Sequence, residues 1–111
     1  FSLWESRERL RWNFLQAVAG LDAVLLPVSS RPALSMEETY QTDILASLDI
    51  LGFCRAISLL GLPAVALPIG RDRAGRPLGV QVVAAPFRDV AAAEVAHLIE
   101  TLAEGGAACL W

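Results

Sequence analysis

Residues 61–84, GLPAVALPIGRDRAGRPLGVQVVA, set two apolar runs on either side of a charged turn, and this stretch restricts the fold more than any other in the chain. In the first run Val65, Leu67 and Ile69 alternate with Ala64, Ala66 and Pro68; in the second Leu78, Val80 and Val82 alternate with Gly79, Gln81 and Val83. Alternation with a period of two places successive side chains on opposite faces of a strand, so the pair predicts a β-hairpin whose faces are both apolar or small. Asp72-Arg73-Ala74-Gly75 suits a type I turn, with Asp at its first position and Gly at its last. Pro77 fits the start of a strand, where a missing N–H is tolerated. Pro68 cannot donate to a ladder and marks an edge or the end of pairing. Gln81 is the one polar group in a valine-rich strand. Its amide must find partners inside, and the expectation is a buried side chain bonded to backbone of an adjoining strand or loop.

The rest of the chain predicts helices around this hairpin. Ser2-Leu3-Trp4-Glu5 is a capping box, and the helix after it places Leu3, Leu10, Phe14 and Val18 on one face, with Gly20 as its stop. Residues 22–28, DAVLLPV, form a continuous apolar run too short for a helix, which reads as a buried strand of the parallel type. Residues 29–42 are polar, broken by Pro32 and long for a connector, and so predict a working loop or a short helical turn. One helix is expected over residues 44–60, capped by Asp43 or Thr42 and ended by Gly61 and Pro63. It is apolar around nearly its whole circumference, and such a helix is buried inside something larger than itself. Asp89 is expected to cap a last helix over residues 90–104, with Ala91, Val95, Leu98 and Leu102 inward and Glu94, His97, Thr101 and Glu104 outward, ended by Gly105-Gly106. The order is helix, strand, loop, helix, hairpin, helix. The fold class is therefore α/β, as a single domain or a fragment over residues 1–111 with no internal repeat.

Charge and composition exclude several functions. The net charge is −3 and the basic residues are scattered, so nucleic acid finds no electrostatic footprint. The longest uncharged apolar run, residues 56–70, is shorter than the roughly 20 residues a spanning helix requires and contains Gly61, Pro63 and Pro68, so no membrane span is expected. Cys54 and Cys109 have neither metal-ligand spacing nor the density of a disulfide scaffold, which implies reduced thiols and a cytoplasmic protein. All nine basic residues are arginines, so the chain holds no lysine for use as a base, a Schiff-base former or a phosphate ligand. A mean hydropathy of +0.50 is high for a small stand-alone domain and predicts an apolar surface that meets a partner. The chain opens at Phe1 directly on a helix start, which reads as a piece of a longer polypeptide.

Groups able to do chemistry are sparse. His97, the only histidine, falls on the charged face of the last helix near Glu94 and reads as a solvated surface residue. Ser29-Ser30 follow a strand, where α/β enzymes place ligand-contacting groups, but no glycine-rich or G-x-S-x-G context surrounds them, and turn or cap duty is the competing role. Cys54 reads as a small core residue, and Asp49 and Arg55, six apart, are not helical neighbours. No metal or cofactor motif is present, so no self-contained active site emerges from the residues alone.

The run Gly61-Leu62-Pro63-Ala64, with Pro68, Gly70, Gly75, Pro77, Gly79, Gln81 and Phe87 and an alanine-rich helix after them, resembles the C-terminal part of amidase signature family hydrolases. Residues 22–27 are similar to the aspartate, apolar strand and proline that precede it in that family. The resemblance implies that the hairpin belongs to a large mixed sheet packed with helices, and that the intact protein cleaves amides with a serine nucleophile, a second serine in a cis linkage and a lysine base. Those serines lie in a Gly/Ser-rich segment well before the matching region, so the resemblance implies no catalytic residue here. Ser58 and Leu60 stand where the family usually has Asn and Thr. The expected contribution is scaffold plus a wall of the substrate pocket, with Phe53, Cys54, Ile57 and Ser58 as its candidates. No cofactor or metal is expected, and a small amide substrate would be met only in the intact parent. The chain alone would self-associate or pack on the missing N-terminal part. Two rival readings stay open: a non-catalytic interaction module that forms homo-oligomers through its apolar helix, and an unrelated small α/β binding domain.

Overall fold

The hairpin forms as the alternation predicts. In the computed structural model, which describes residues 2–103, β2 (Ala64–Arg71) and β3 (Pro77–Val83) pair antiparallel, with Val65 opposite Val82 and Leu67 opposite Val80. The connecting turn closes with Gly75 N–H donating to the Asp72 carbonyl at 3.0 Å, and Gly75 takes φ +83°, a left-handed conformation that glycine adopts without a Cβ clash. The Asp72 carboxylate organises the loop further: Oδ1 accepts from Ala74 N at 2.9 Å and Arg76 N at 2.8 Å, while Oδ2 accepts from Arg76 Nε at 2.9 Å. Between Pro68 and Gly70 the register shifts, and Ile69 has no cross-strand partner. Pro68 thus sits beside a bulge on an edge strand, where its missing N–H removes nothing from the ladder.

The sheet is completed by β1 (Val24–Pro27), giving the order β1-β3-β2. This corrects one expectation. The apolar run at 22–28 predicts a buried strand of the parallel type, but β1 runs antiparallel to β3, is shorter, and lies at the edge with none of its residues fully buried. Its direction follows from pairing with a strand whose own course the hairpin already determines, and a local apolar run carries no information about that.

Helices cover both faces of the sheet. On one face α5 (Asp89–Leu102) lays Ala92 and Ala96 onto Leu67, Val82 and Ala84, with Val95 and Ile99 alongside. The inward stripe is therefore rotated from the expected one: Leu98 and Leu102, expected inside, are 57% and 74% exposed. Alanines let the helix axis approach the sheet closely, and the resulting stripe excludes the larger leucines. Asp89 is the first helical residue rather than the cap and makes no cap bond; it lies in the first turn, where its charge complements the helix dipole. Glu104, Gly105-Gly106 and Cys109 lie outside the described residues.

On the opposite face α4 (Gly52–Leu60) buries Ile57 and Leu60 with Leu62 against Val83, and Phe14 and Leu15 of α1 (Leu3–Ala17) close over them beside Leu26. The Ser2 capping box is present, with Glu5 N donating to Ser2 Oγ at 3.1 Å and Ser2 N to Glu5 Oε2 at 2.9 Å. The face predicted for α1 is only partly used: Phe14 packs, whereas Leu3 and Leu10 are exposed. Arg7 joins the two helices by donating from Nε to the Leu59 carbonyl at 2.6 Å, one of the carbonyls that a helix C-terminus leaves unpaired, and its guanidinium stands 5.7 Å from the Trp4 ring centre.

The single helix expected over residues 44–60 is two helices. α3 (Ile44–Ile50) ends at Leu51, whose φ −94° and ψ 13° leave the helical basin, and α4 begins at Gly52. Glycine is a poor helix former, and the break is stabilised from outside: Arg55 Nη1 donates to the Leu48 carbonyl at 3.0 Å and Ser30 N to the Ile50 carbonyl at 3.0 Å, meeting acceptors in the last turn of α3. Asp43 caps α3 by accepting from Ala46 N at 2.7 Å, and Gly61 at φ +65° terminates α4. The polar stretch at 29–42 contains the short helix α2 (Met36–Gln41), held by its own capping box between Ser35 and Glu38. Among the described residues no helix is long and apolar enough to cross a membrane.

Candidate functional site

One hollow of about 440 Å³ lies between α1 and residues 83–88, and a second concave region lies where the exit of β1, the 29–34 segment and the α3–α4 break meet. Three mainly apolar depressions adjoin one another there. The first, of about 390 Å³, is lined by Ser29 and Ala33 against Ala66, Pro68, Leu78 and Gly79. The second, of about 260 Å³, shares Ser29 and Ala33 and adds Pro32, Leu34, Ser47 and Ile50. The third lies along α4 between Leu51, Cys54, Ser58 and Leu59, and Leu51 connects it to the second. Gly79 keeps the first depression open, because a Cβ there would come within 3.3 Å of the Leu67 carbonyl and 3.5 Å of Val28 Cγ2.

The four pocket candidates from the sequence do not stay together. Cys54 and Ser58, one helical turn apart, both line the third depression; Ile57 turns into the core with Leu60 and Val83; Phe53 is 40% exposed and lines none of these three depressions. What sequence reasoning did not assemble is the role of Pro68 and Gly79, which form one wall against Ser29. The available signal was the Ser29-Ser30 pair after a strand. Ser29 does perform turn duty, donating from Oγ to the Arg31 carbonyl at 2.6 Å.

Buried polar contacts underlie this surface. Gln81 is only 4% exposed, and its Nε2 donates to the Pro27 carbonyl of the neighbouring strand at 2.9 Å and lies 3.9 Å from Cys54 Sγ. The Cys54 thiol in turn donates to the Val28 carbonyl at 3.0 Å. The Gln81 expectation is met in both burial and partner.

A charged cluster links α2 to the hairpin, and one of its members, Arg31, lines the second depression. Arg76 reaches Glu38 Oε2 at 3.8 Å as well as Asp72, and Arg31 reaches Glu38 Oε1 at 3.5 Å, so α2 is tethered to the tip of the hairpin. The Glu38 carboxyl is held below its ordinary pKa chiefly by the Ser35 backbone N–H, then by the Ser35 hydroxyl, with the two arginines adding to this. The Asp72 carboxyl is lowered first by the Arg76 backbone N–H and then by the Arg76 side chain. His97 is on the surface of α5, 3.9 Å from Glu100, far in the chain from any serine of the concave face. Among the described residues no group of three or more His, Cys, Asp or Glu side chains could hold a metal ion.

An antiparallel hairpin with helices on both faces and an apolar, serine-bearing hollow on one of them defines an α/β structure. The chain belongs to the Amidase family, whose model matches residues 3–92. It is 33% identical over 107 residues to a glutamyl-tRNA(Gln) amidotransferase subunit from Bartonella bacilliformis, covering 95% of this chain and 22% of that protein. It is 29% identical over 101 residues to fatty acid amide hydrolase of Arabidopsis thaliana, covering 87% of this chain and 17% of the relative. A crystal structure of an amidase superposes with a TM-score of 0.75 at 31% identity, over 87% of this chain and 23% of that one. A 6-aminohexanoate cyclic dimer hydrolase bound to its substrate superposes with a TM-score of 0.62 at 28% identity, over 89% and 22%. The chain thus spans about a fifth of the length of the curated relatives it matches.

Proposed function

We propose that this chain is the C-terminal portion of an amidase-like hydrolase of carboxylic amide C–N bonds, contributing scaffold and a wall of the substrate pocket rather than the reacting serines and lysine. One observation carries this reading: the family match takes in residues 3–92, yet every basic residue is an arginine, so the lysine base implied by the family resemblance has no counterpart here. Amide hydrolysis needs an activated nucleophile, a base and donors for the developing oxyanion. The concave face offers a different service, an apolar surface that excludes water and orients the non-reacting part of a substrate. Cys54 and Ser58 border that surface and Ile57 supports it from the core, while Phe53, 40% exposed, would meet substrate only in the intact parent. The substrate would be a small amide, met in the intact parent, with no cofactor called for because water is the second reactant. A cytoplasmic setting agrees with the sparse cysteines.

The purified chain is expected to show no turnover of simple aliphatic or aromatic amides, since removing the nucleophile or base of such a centre costs orders of magnitude. Measurable turnover that disappears when one of its own serines is changed to alanine would overturn the reading. A second reading, an interaction module that self-associates, is favoured by one feature: Met36, Tyr40, Ile44 and Leu45 are exposed along α2 and α3. Light scattering is expected to report association, and a clean monomer at high concentration with no binding of a hydrophobic dye would eliminate it.

A further inference from the structure

The end of β1 is held in a way that its strand pairing does not explain. Two successive carbonyls, Pro27 O and Val28 O, each receive a hydrogen bond from a side chain on a different element, Gln81 of β3 and Cys54 of α4. The two donors are linked, because the same Gln81 nitrogen that bonds Pro27 lies 3.9 Å from the Cys54 sulfur. Only the nitrogen end of the amide can serve here, since its oxygen would face a carbonyl oxygen, and the group at position 54 completes the chain by accepting from one side while donating from the other. Two residues further on, Ser30 N donates to the Ile50 carbonyl at 3.0 Å, so the backbone over 27–30 is gripped from β3, α4 and α3 within four residues. Ser29, whose residue lines two of the three depressions, stands in the middle of that gripped segment.

We propose that Gln81 and Cys54 are positioning residues for the Ser29-Ser30 segment: by fixing the Pro27 and Val28 carbonyls they set where Ser29 stands between the two depressions. The importance this gives Ser29, as a polar point on a pocket wall, rests on the reading in the preceding subsection; the clamp itself does not. The position of Cys54, one turn before Ser58, also means that the helix lining the third depression is tied to the loop lining the first two, so the three hollows keep a common geometry.

Site-resolved amide hydrogen exchange on the full chain tests the clamp. In Cys54→Ala and in Gln81→Leu, the Ser30 amide is expected to exchange about fivefold to tenfold faster over and above any acceleration shared by the hairpin amides of Val65 and Val82, the equivalent of one lost hydrogen bond. Cys54→Ser, which retains a donor at that point, is expected to restore most of the Ser30 protection. A uniform acceleration across hairpin and loop would reduce both side chains to general stability, and unchanged Ser30 exchange in Cys54→Ala would remove Cys54 from the clamp; either result overturns the proposal. Amide turnover by the isolated chain would refute the pocket-wall reading and leave these exchange rates as they are, so the two failures are distinguishable.

Discussion

The two faces of one small sheet are built to different specifications. The α5 face is closed: Val82 and Ala92 have no exposed surface, and Leu67, Ala84 and Ala96 are buried around them. The α4 face is half open. Ala64 and Ala66 lie bare at its edge, Gln81 and Cys54 put polar atoms beneath it, and hollows open between the hairpin and the 28–33 segment and along α4. Both faces alternate along the same strand, residue by residue, so backbone geometry cannot be the source of the contrast. The difference is in what packs against them. A helix of alanines seals one side, whereas on the other a broken helix pair and a clamped loop keep surface available. Both faces carry a buried apolar cluster, but only the second also carries the adjoining depressions.

Substitutions can break this contrast. The largest effect is expected at Leu67, buried on the closed face: Leu67→Ala should lower stability by about 2–5 kcal/mol in a urea titration, through lost transfer energy and the cavity left behind. Next is Gln81→Leu, which leaves the Pro27 carbonyl without its partner. It should cost about 1–3 kcal/mol for each buried group unsatisfied, and an unchanged or raised thermal midpoint would show that the amide is not structurally needed. A matched pair sharpens the comparison: Ala92→Leu overpacks the closed face and should cost about 1–3 kcal/mol, whereas Ala66→Leu on the open edge should stay within about 0.5 kcal/mol. Equal penalties would mean that the two faces are packed alike.

The smallest effect concerns pH. Folding lowers the pKa of both Asp72 and Glu38, so their contributions are fully present above the unfolded carboxylate value of about 4 and are lost as the pH falls through the lower folded values. Asp72→Asn should therefore flatten the acid limb of a stability-versus-pH curve while leaving its neutral plateau slightly lower. Both carboxylates are partly exposed, so the share of the change that comes from the neighbouring arginines should shrink in high salt, while the share from backbone N–H groups persists.

Elements whose cause is local are legible in the residues themselves. The turn at Asp72–Gly75, the Ser2 and Asp43 caps and the Gly61 stop each depend on a few adjacent residues and their permitted dihedrals. Ser35-Met36-Glu37-Glu38 carries the same capping signature as Ser2–Glu5, and α2 could have been placed from it. Gln81 is legible for a different reason: a lone amide among valines has few solutions. The concave site is not readable in this way, because Ser29, Pro68, Gly79 and Leu51 come from four separate stretches that only the folded chain brings together.

Residues close together in the chain were enough to specify the hairpin, its turn, the Ser2 and Asp43 caps, the Gly61 stop, the burial of Gln81 and, through the motifs around Gly61–Phe87, membership in the amidase family. The direction of β1, the rotation of α5 about its axis, the break at Leu51-Gly52 and the joining of three hollows were decided by tertiary structure. Alanines at 91, 92, 93 and 96 allow several inward stripes of similar hydrophobicity, and contact with Val82 selects among them. An apolar run such as 22–28 pairs in either direction until a partner strand is present, and a glycine inside a helical pattern breaks it only when outside donors, here Arg55 and Ser30, meet the carbonyls at the break. Local sequence sets which conformations are cheap; only long-range contacts decide between conformations that cost the same.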